Sequence, residues 1–210
     1  MLATAVVPQC GDTILDLGTG CGIIGLILAL RHRDIHISAV EIQSDLAYAA
    51  SKNVVENKMD GRITVIHADM RSLPNRQIMG PFDWVVSNPP FRRPASGRIN
   101  PNNQRAVARH EIEIDMAQLF GCAGRLLRTG GRFTTIYPAD RTADMIERMR
   151  LSGIEPKCIQ TVHSQCDQDA KLVLASGTKG GRPGLRVAPP LIVYDPEGNY
   201  SEAVRAMMKS

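Results

Sequence analysis

Thr13-Ile14-Leu15-Asp16-Leu17-Gly18-Thr19-Gly20-Cys21-Gly22-Ile23-Ile24-Gly25 is an aliphatic run, then a glycine-rich loop, then the start of an apolar helix. A strand, a tight turn and a helix in that order begin a βα unit, and glycines let the chain reverse where other residues would strain. The pattern recurs downstream. Strand-like runs at Ile35 to Val40, Ile63 to His67 and Phe82 to Val86 alternate with helical stretches at Ile23 to Arg31 and Ser44 to Lys58. A further helix is expected from Asp115 to Leu127, closed by Gly130-Gly131 ahead of a strand at Arg132 to Tyr137. Another helix, Arg141 to Leu151, leads to strands near Cys158 to His163 and Lys171 to Ala175, with an apolar segment at Pro190 to Tyr194. This alternation predicts an α/β fold, a mostly parallel sheet of about seven strands with helices on both faces and late strands partly antiparallel.

The glycine loop admits two alignments. Gly20, Gly22 and Gly25 fit GxGxxG of dinucleotide enzymes, whereas Asp16, Gly18, Gly20 and Gly22 fit DxGxGxG of S-adenosylmethionine sites. An acid just before the loop suits a methionine ammonium and would repel a pyrophosphate, which favours the methyl donor over NAD. Glu41 closes the second strand about 20 residues after the loop, where an acid accepts hydrogen bonds from both ribose hydroxyls. Asp69 follows the third strand and is a candidate acceptor for the cofactor's adenine amino group, with Ile42 and Met70 flanking the ring. An acid at such a place also caps a following helix, so both readings of Asp69 stand.

Asn88-Pro89-Pro90-Phe91 follows the buried-looking run Phe82-Asp83-Trp84-Val85-Val86-Ser87. In an open α/β sheet the C-terminal strand edge is where ligands bind. Two prolines remove two backbone donors and fix the turn, leaving carbonyls as acceptors beside the Asn88 amide. Such a corner can grip an NH2 group on a planar substrate, although Asn and Pro also make ordinary turns. Trp84, inside a strand, reads as core. From Asn88 to His110 the chain carries Arg92, Arg93, Arg98, Arg105 and Arg109 and no acid, and Phe91 to Arg109 is a long irregular stretch. Loops of that length in a compact domain are commonly functional, and this one leaves directly from the corner. A second basic stretch, Lys179 to Arg186, is also free of acids; both can track a phosphate backbone, or be solvated surface.

Length and composition narrow the class. The chain has 210 residues, 43% hydrophobic and 22% charged, with a net charge of +4, which is ordinary for one globular domain. Only 4% of residues are aromatic, so the core must be mainly aliphatic. Cys10, Cys21, Cys122, Cys158 and Cys166 show no CxxC pair and no zinc spacing, so they read as reduced thiols of a cytoplasmic protein, with no metal expected. No charged leader precedes an apolar stretch, and no apolar run reaches the ~20 residues of a membrane span. Nothing in the composition assigns an oligomeric state.

The combination of DLGTGCG, VE, HAD and NPPF resembles class I, Rossmann-like methyltransferases acting on exocyclic or amide nitrogens. The stretches NPPFRRPASGRINPNNQRAVARHEI, GGRFTTIYPADR and PPLIVYDPEGNYSE are similar, over nearly the whole chain, to the bacterial tRNA1(Val) adenine-N6-methyltransferase family. That resemblance implies S-adenosylmethionine as cofactor and an adenine N6 beside the tRNA anticodon as acceptor. Asn88 and Pro89 would then hold the amine, Phe91 would stack on the base, and Pro90 with Arg92, Arg93, Arg98, Arg105 and Arg109 would contact the substrate. Family members have Tyr at the last corner position, where this chain has Phe91, and carry an N-terminal segment that covers the cofactor. The first strand here begins after only a dozen residues, so one methyltransferase domain over 1–210 lacking that segment is expected. The same corner also suits an rRNA guanine N2 or a protein glutamine amide, and a noncatalytic RNA-binding module is the reading from another class.

Overall fold

The computed structural model describes residues 1–74, 76–78, 80–89 and 116–209. Strands β1 (Thr13–Leu17), β2 (His36–Glu41), β3 (Ile63–His67) and β4 (Phe82–Ser87) alternate with helices α1 (Ile23–Arg31) and α2 (Ser44–Glu56). Helix α3 covers 116–126. It is followed by β5 (Leu127–Pro138), α4 (Thr142–Leu151), β6 (Ile154–His163) and β7 (Ala170–Lys179), then short β8 (Arg186–Val187) and β9 (Leu191–Ile192), and helix α5 (Glu202–Lys209). Spatial order is β3-β2-β1-β4-β5-β7-β6-β8, with β9 also beside β6. Strands β1 to β5 run parallel and β7 runs antiparallel to both of its neighbours. The seven long strands are those expected, and the two-residue β8 and β9 extend the edge.

Successive strands grow outward from β1 in one direction and from β4 in the other. The crevice between β1 and β4 is therefore the switch point at which open α/β sheets take their ligands. Alternation along the strands divides the aliphatic core between two faces. On one face Ile14, Ile37, Ala39 and Val86 pack with Leu28 and Ala29 of α1 and Val54 of α2. On the other, Leu15, Leu17, Val85 and Phe133 meet Met116, Leu119 and Phe120 of α3 and Met145 and Met149 of α4. The scarce aromatics concentrate there: Phe120 meets Phe133 edge-on at 5.1 Å and lies against Tyr137 at 5.9 Å. Truncating Phe120 to Ala would cost about 3–5 kcal/mol. Trp84 is core, as expected, at 4% exposure, with its indole N–H donating to Thr134 Oγ1 at 3.0 Å.

Two expectations need adjusting. Gly130-Gly131 does not close α3: β5 already starts at Leu127, paired with Phe82, and the register shifts before Arg132 pairs with Trp84. Gly130 adopts φ 79°, and a Cβ on Gly131 would lie 2.8 Å from the Arg128 carbonyl oxygen, so the pair forms an irregularity inside the strand. Helix α2 stops at Glu56 rather than Lys58, because Lys58 takes a left-handed φ of 58°. Helix α5 had no counterpart in the sequence reading.

At the lower edge, where the parallel strands begin, Asp83 joins three of them. Its Oδ2 accepts from the Thr13 N–H at 2.8 Å and the Thr13 hydroxyl at 2.9 Å, and its Oδ1 accepts from Arg128 of β5. Burial raises this carboxyl's pKa, but the bonds from Thr13 and Arg128 together outweigh it and hold Asp83 below the usual range. The second basic stretch lies at this same edge, since Thr178 pairs with Arg132 and the chain turns just beyond Lys179.

Candidate active site

At the opposite, upper edge the chain leaves β1 through Gly18, Gly20 and Gly22, whose φ values of 72°, 59° and 86° demand glycine. Gly25 sits in α1 with no such requirement, so the backbone follows the DxGxGxG alignment. A Cβ on Gly18 or Gly20 would meet nothing within 4 Å, which leaves open space beside the loop. The loop is anchored from beneath. Gly18 and Thr19 N–H groups donate to the Val40 carbonyl at 2.9 and 3.0 Å, and Asn53 of α2 donates through Nδ2 to the Cys21 carbonyl at 2.9 Å.

Glu41, 5% exposed, ends β2 against this loop. Its Oε2 accepts from the Gly20 N–H and its Oε1 from the Gln43 N–H, each at 2.9 Å. A carboxylate offers about four acceptor positions, so the two backbone donors fix its orientation and leave capacity for a ligand diol. Asp16 is fully buried. Its Oδ2 accepts from the Thr19 hydroxyl at 2.6 Å, while Oδ1 has no hydrogen-bond partner among the described residues. Burial pushes this carboxyl up to about 6; the Thr19 hydroxyl opposes that, the nearby Glu41 charge adds to it, and the Gly25 amide opposes it. An orphaned buried carboxylate oxygen beside an open glycine loop fits a ligand ammonium.

The remaining cofactor candidates lie on the same edge. Ile42 is exposed and Met70 is half-buried against the core. Asp69 caps the single turn Met70–Ser72: Oδ1 accepts from the Arg71 N–H at 2.9 Å, and Oδ2 from the Arg71 guanidinium. The Arg71 side chain and then its backbone N–H hold this carboxyl below the usual range. The capping reading of Asp69 is thus observed.

Across the crevice, Ser87 ends β4 fully buried. Its hydroxyl donates to the Leu17 carbonyl at 2.7 Å, and its own carbonyl accepts from the Thr135 hydroxyl of β5 at 2.9 Å. Asn88 follows, exposed and without a side-chain hydrogen bond among the described residues, and Pro89 is half-buried. Asp16 and Val86 are register partners, so Gly18 and Asn88 stand two residues beyond that pair on either side of the crevice. Pro90, Phe91, Arg92, Arg93, Arg98, Arg105 and Arg109 lie outside the described residues, as do His110 and Glu111. Among the described residues no cluster of His, Cys, Asp or Glu could hold a metal, and no helix is long and apolar enough to cross a membrane. A groove of about 620 Å³ lined by Ile27, Leu30, Tyr194 and Met207 contains none of the candidates.

The sequence reading missed Thr19, Asn53, Ser87 and Thr135. Their signal was weak: single hydroxyls or an amide beside a recognised motif, with no spacing that announces a role.

This strand order, with its glycine loop and crevice at the switch point, is that of a class I methyltransferase. A predicted O-methyltransferase from Agrobacterium tumefaciens has the same fold with a TM-score of 0.80, at 22% identity, over 99% of this chain and 93% of that one. TrmN from Thermus thermophilus aligns with a TM-score of 0.64 at 18% identity, over 85% of this chain and 47% of that one. Residues 1–149 match the methyltransferase small domain, and the chain belongs to that family. Its relatives include tRNA1(Val) (adenine(37)-N6)-methyltransferases. The protein of that name from Pedobacter heparinus is 29% identical over 197 residues, covering 93% of this chain and 81% of the relative. The one from Klebsiella pneumoniae is 30% identical over 196 residues, covering 92% and 78%.

Proposed function

We propose that this chain transfers a methyl group from S-adenosylmethionine to the exocyclic N6 of an adenine in tRNA, beside the anticodon of a tRNA1(Val)-like substrate. The observation that carries the reading is Asn88, an unengaged amide held at the switch-point crevice across from the orphaned oxygen of Asp16. The relatives reported above support adenine N6 as acceptor rather than guanine N2 or a glutamine amide. We assign the cofactor's ammonium to Asp16, its ribose to Glu41, the loop contacts to Gly18, Gly20 and Gly22, and its adenine ring to Ile42 and Met70. Asp69 keeps its cap and has acceptor capacity to spare for the adenine amino group.

When bound, S-adenosylmethionine supplies an electrophilic methyl on a sulfonium. Adenine N6 is a poor nucleophile because its lone pair is delocalised into the ring. Asn88 Oδ1 and the Pro89 carbonyl oxygen accept the two N6 hydrogens, draw the amine towards a pyramidal shape and aim its lone pair across the crevice. Both oxygens then face the positive charge that develops on N6, which loses one proton to water. Positioning and electrostatics supply most of the rate. Phe91 stacks on the flipped base, and Pro90 with Arg92, Arg93, Arg98, Arg105 and Arg109 contacts the RNA, in a single domain working in the cytoplasm.

The test is incubation with labelled S-adenosylmethionine and unmodified bacterial tRNA, followed by digestion to nucleosides and mass spectrometry. Label in N6-methyladenosine from one tRNA is the expected result. Label in another nucleoside, or only in protein, overturns the assignment.

A further inference from the structure

We infer that Ser87 and Thr135 are positioning residues that set the width of the methyl-transfer crevice, an inference that rests on the function proposed above. The backbone pairing between β1 and β4 runs as far as Asp16 and Val86. One step further out, at the switch point, the two chains diverge into the glycine loop and the Asn88 corner. There the Ser87 hydroxyl reaches across to the Leu17 carbonyl and continues the tie beyond the last backbone pair. The Ser87 carbonyl is in turn held by the Thr135 hydroxyl from the other side, at the register position that pairs these residues. Ser87 and Thr135 are each 0% exposed, so water does not compete for these bonds.

The chain of contacts runs from Thr135 through Ser87 to Leu17. Asn88 is bonded covalently to Ser87 and Gly18 to Leu17, so this chain fixes the residue carrying the amine acceptors relative to the loop assigned to the methyl donor. Neither hydroxyl touches a reacting atom. Their effect is on distance and aim, where a displacement of about 1 Å can cost on the order of a hundredfold in rate.

The test compares Ser87→Ala, Thr135→Val, which keeps the shape without the hydroxyl, and Thr135→Ser, which keeps the hydroxyl. Asp83→Asn, which loosens the lower end of the same three strands, is the contrast. Turnover is measured on unmodified tRNA, with KM for S-adenosylmethionine, affinity for S-adenosylhomocysteine, and amide exchange at Gly18 and Asn88. Ser87→Ala and Thr135→Val are expected to lower kcat by about tenfold or more, leave both cofactor constants within about threefold, and raise exchange at the two amides. Thr135→Ser is expected to stay within about threefold of wild type, and Asp83→Asn to keep its kcat within about twofold.

A kcat within about twofold of wild type in both hydroxyl-less variants overturns the inference, as does a Thr135→Ser variant that falls as far as Thr135→Val. Should Ser87→Ala not fold, the two Thr135 variants decide alone. If the wild-type chain methylates another acceptor, the adenine reading fails while the same kcat ratios on that acceptor still decide this one. If it methylates nothing offered, unchanged exchange at Gly18 and Asn88 overturns the inference and raised exchange supports it.

Discussion

The two ends of the β1–β4–β5 strip are stapled by opposite kinds of chemistry. At the lower edge the staple is ionic: Asp83 collects Thr13 and Arg128, and both charged side chains are partly exposed. At the upper edge it is neutral and dry, built from the hydroxyls of Ser87 and Thr135. A charged staple at the upper edge would add a fixed buried charge next to Asp16 and the proposed reacting centre, with a large desolvation cost. Hydroxyls give the same cross-strand tie and leave the local field to the residues that use it. The lower edge has no such constraint, so a half-exposed ion pair serves there, worth little beyond its geometry.

The sharpest way to break this contrast is at the upper edge. Asn88→Ala should lower kcat by about a hundredfold or more while leaving S-adenosylhomocysteine affinity nearly intact, read by single-turnover kinetics and calorimetry. Near-normal turnover would remove Asn88 from the chemistry. On the opposite wall of the crevice, Glu41→Gln should weaken cofactor binding by about ten- to a hundredfold, since hydrogen bonds to a charged group contribute roughly 1.5–3 kcal/mol. At saturating cofactor its kcat should stay within about threefold, and a selective loss of kcat would reassign Glu41.

Asp16 gives a smaller, pH-dependent effect. Its pKa is raised from 3.8 to about 6, so between those values the folded chain holds a proton that the unfolded chain has released. Stability therefore falls as pH rises through that window, and above it the ionised buried carboxylate costs on the order of 3 kcal/mol. A bound ammonium offsets that cost but needs the ionised form. Affinity for S-adenosylhomocysteine should therefore be flat above about pH 6 and weaken by about tenfold towards pH 5, and Asp16→Asn should remove the pH dependence. A wild-type affinity that ignores pH over this range would detach Asp16 from the ligand.

The smallest effect on activity belongs to the lower edge. Asp83→Asn should lower stability by about 1–3 kcal/mol at neutral pH, a figure discounted for its partial exposure, without changing kcat. Because the Asp83 pKa is depressed below 3.8, its contribution is present above that value and is lost as pH falls through the folded-state pKa. Denaturation of the two proteins should thus converge in acid. A kcat loss in this variant matching that of Thr135→Val would erase the difference between the two ends.

What was legible in the sequence was local and periodic. Thr13 to Gly25 announced a strand, a tight turn and a helix, and Glu41 fell at the end of the next strand. Asp69 was legible only as two alternatives, because a short acid after a strand satisfies either a ligand or the next turn's N–H groups. Gly130-Gly131 was misread as a helix stop, since glycine marks a bulge as readily as a C-cap and only the partner strand distinguishes them. Ser87 and Thr135 were invisible for a related reason. Their partners lie 70 and 48 residues away, and nothing about a single hydroxyl forecasts a bond across that distance.

That separation also imposes an order in time. Leu17 with Ser87, and Thr13 with Asp83, are the same 70 residues apart, so both staples close one loop. Bringing its ends together costs about 4 kcal/mol of chain entropy before either bond forms. Strands β1, β2 and β3 pair with one another across much shorter separations and can assemble while the chain is still emerging from the ribosome. The loop that would grip a nucleoside is then complete before the wall that faces it has been synthesised. Only once Asn88 and Pro89 have been added does this polypeptide hold both halves of the proposed reaction centre.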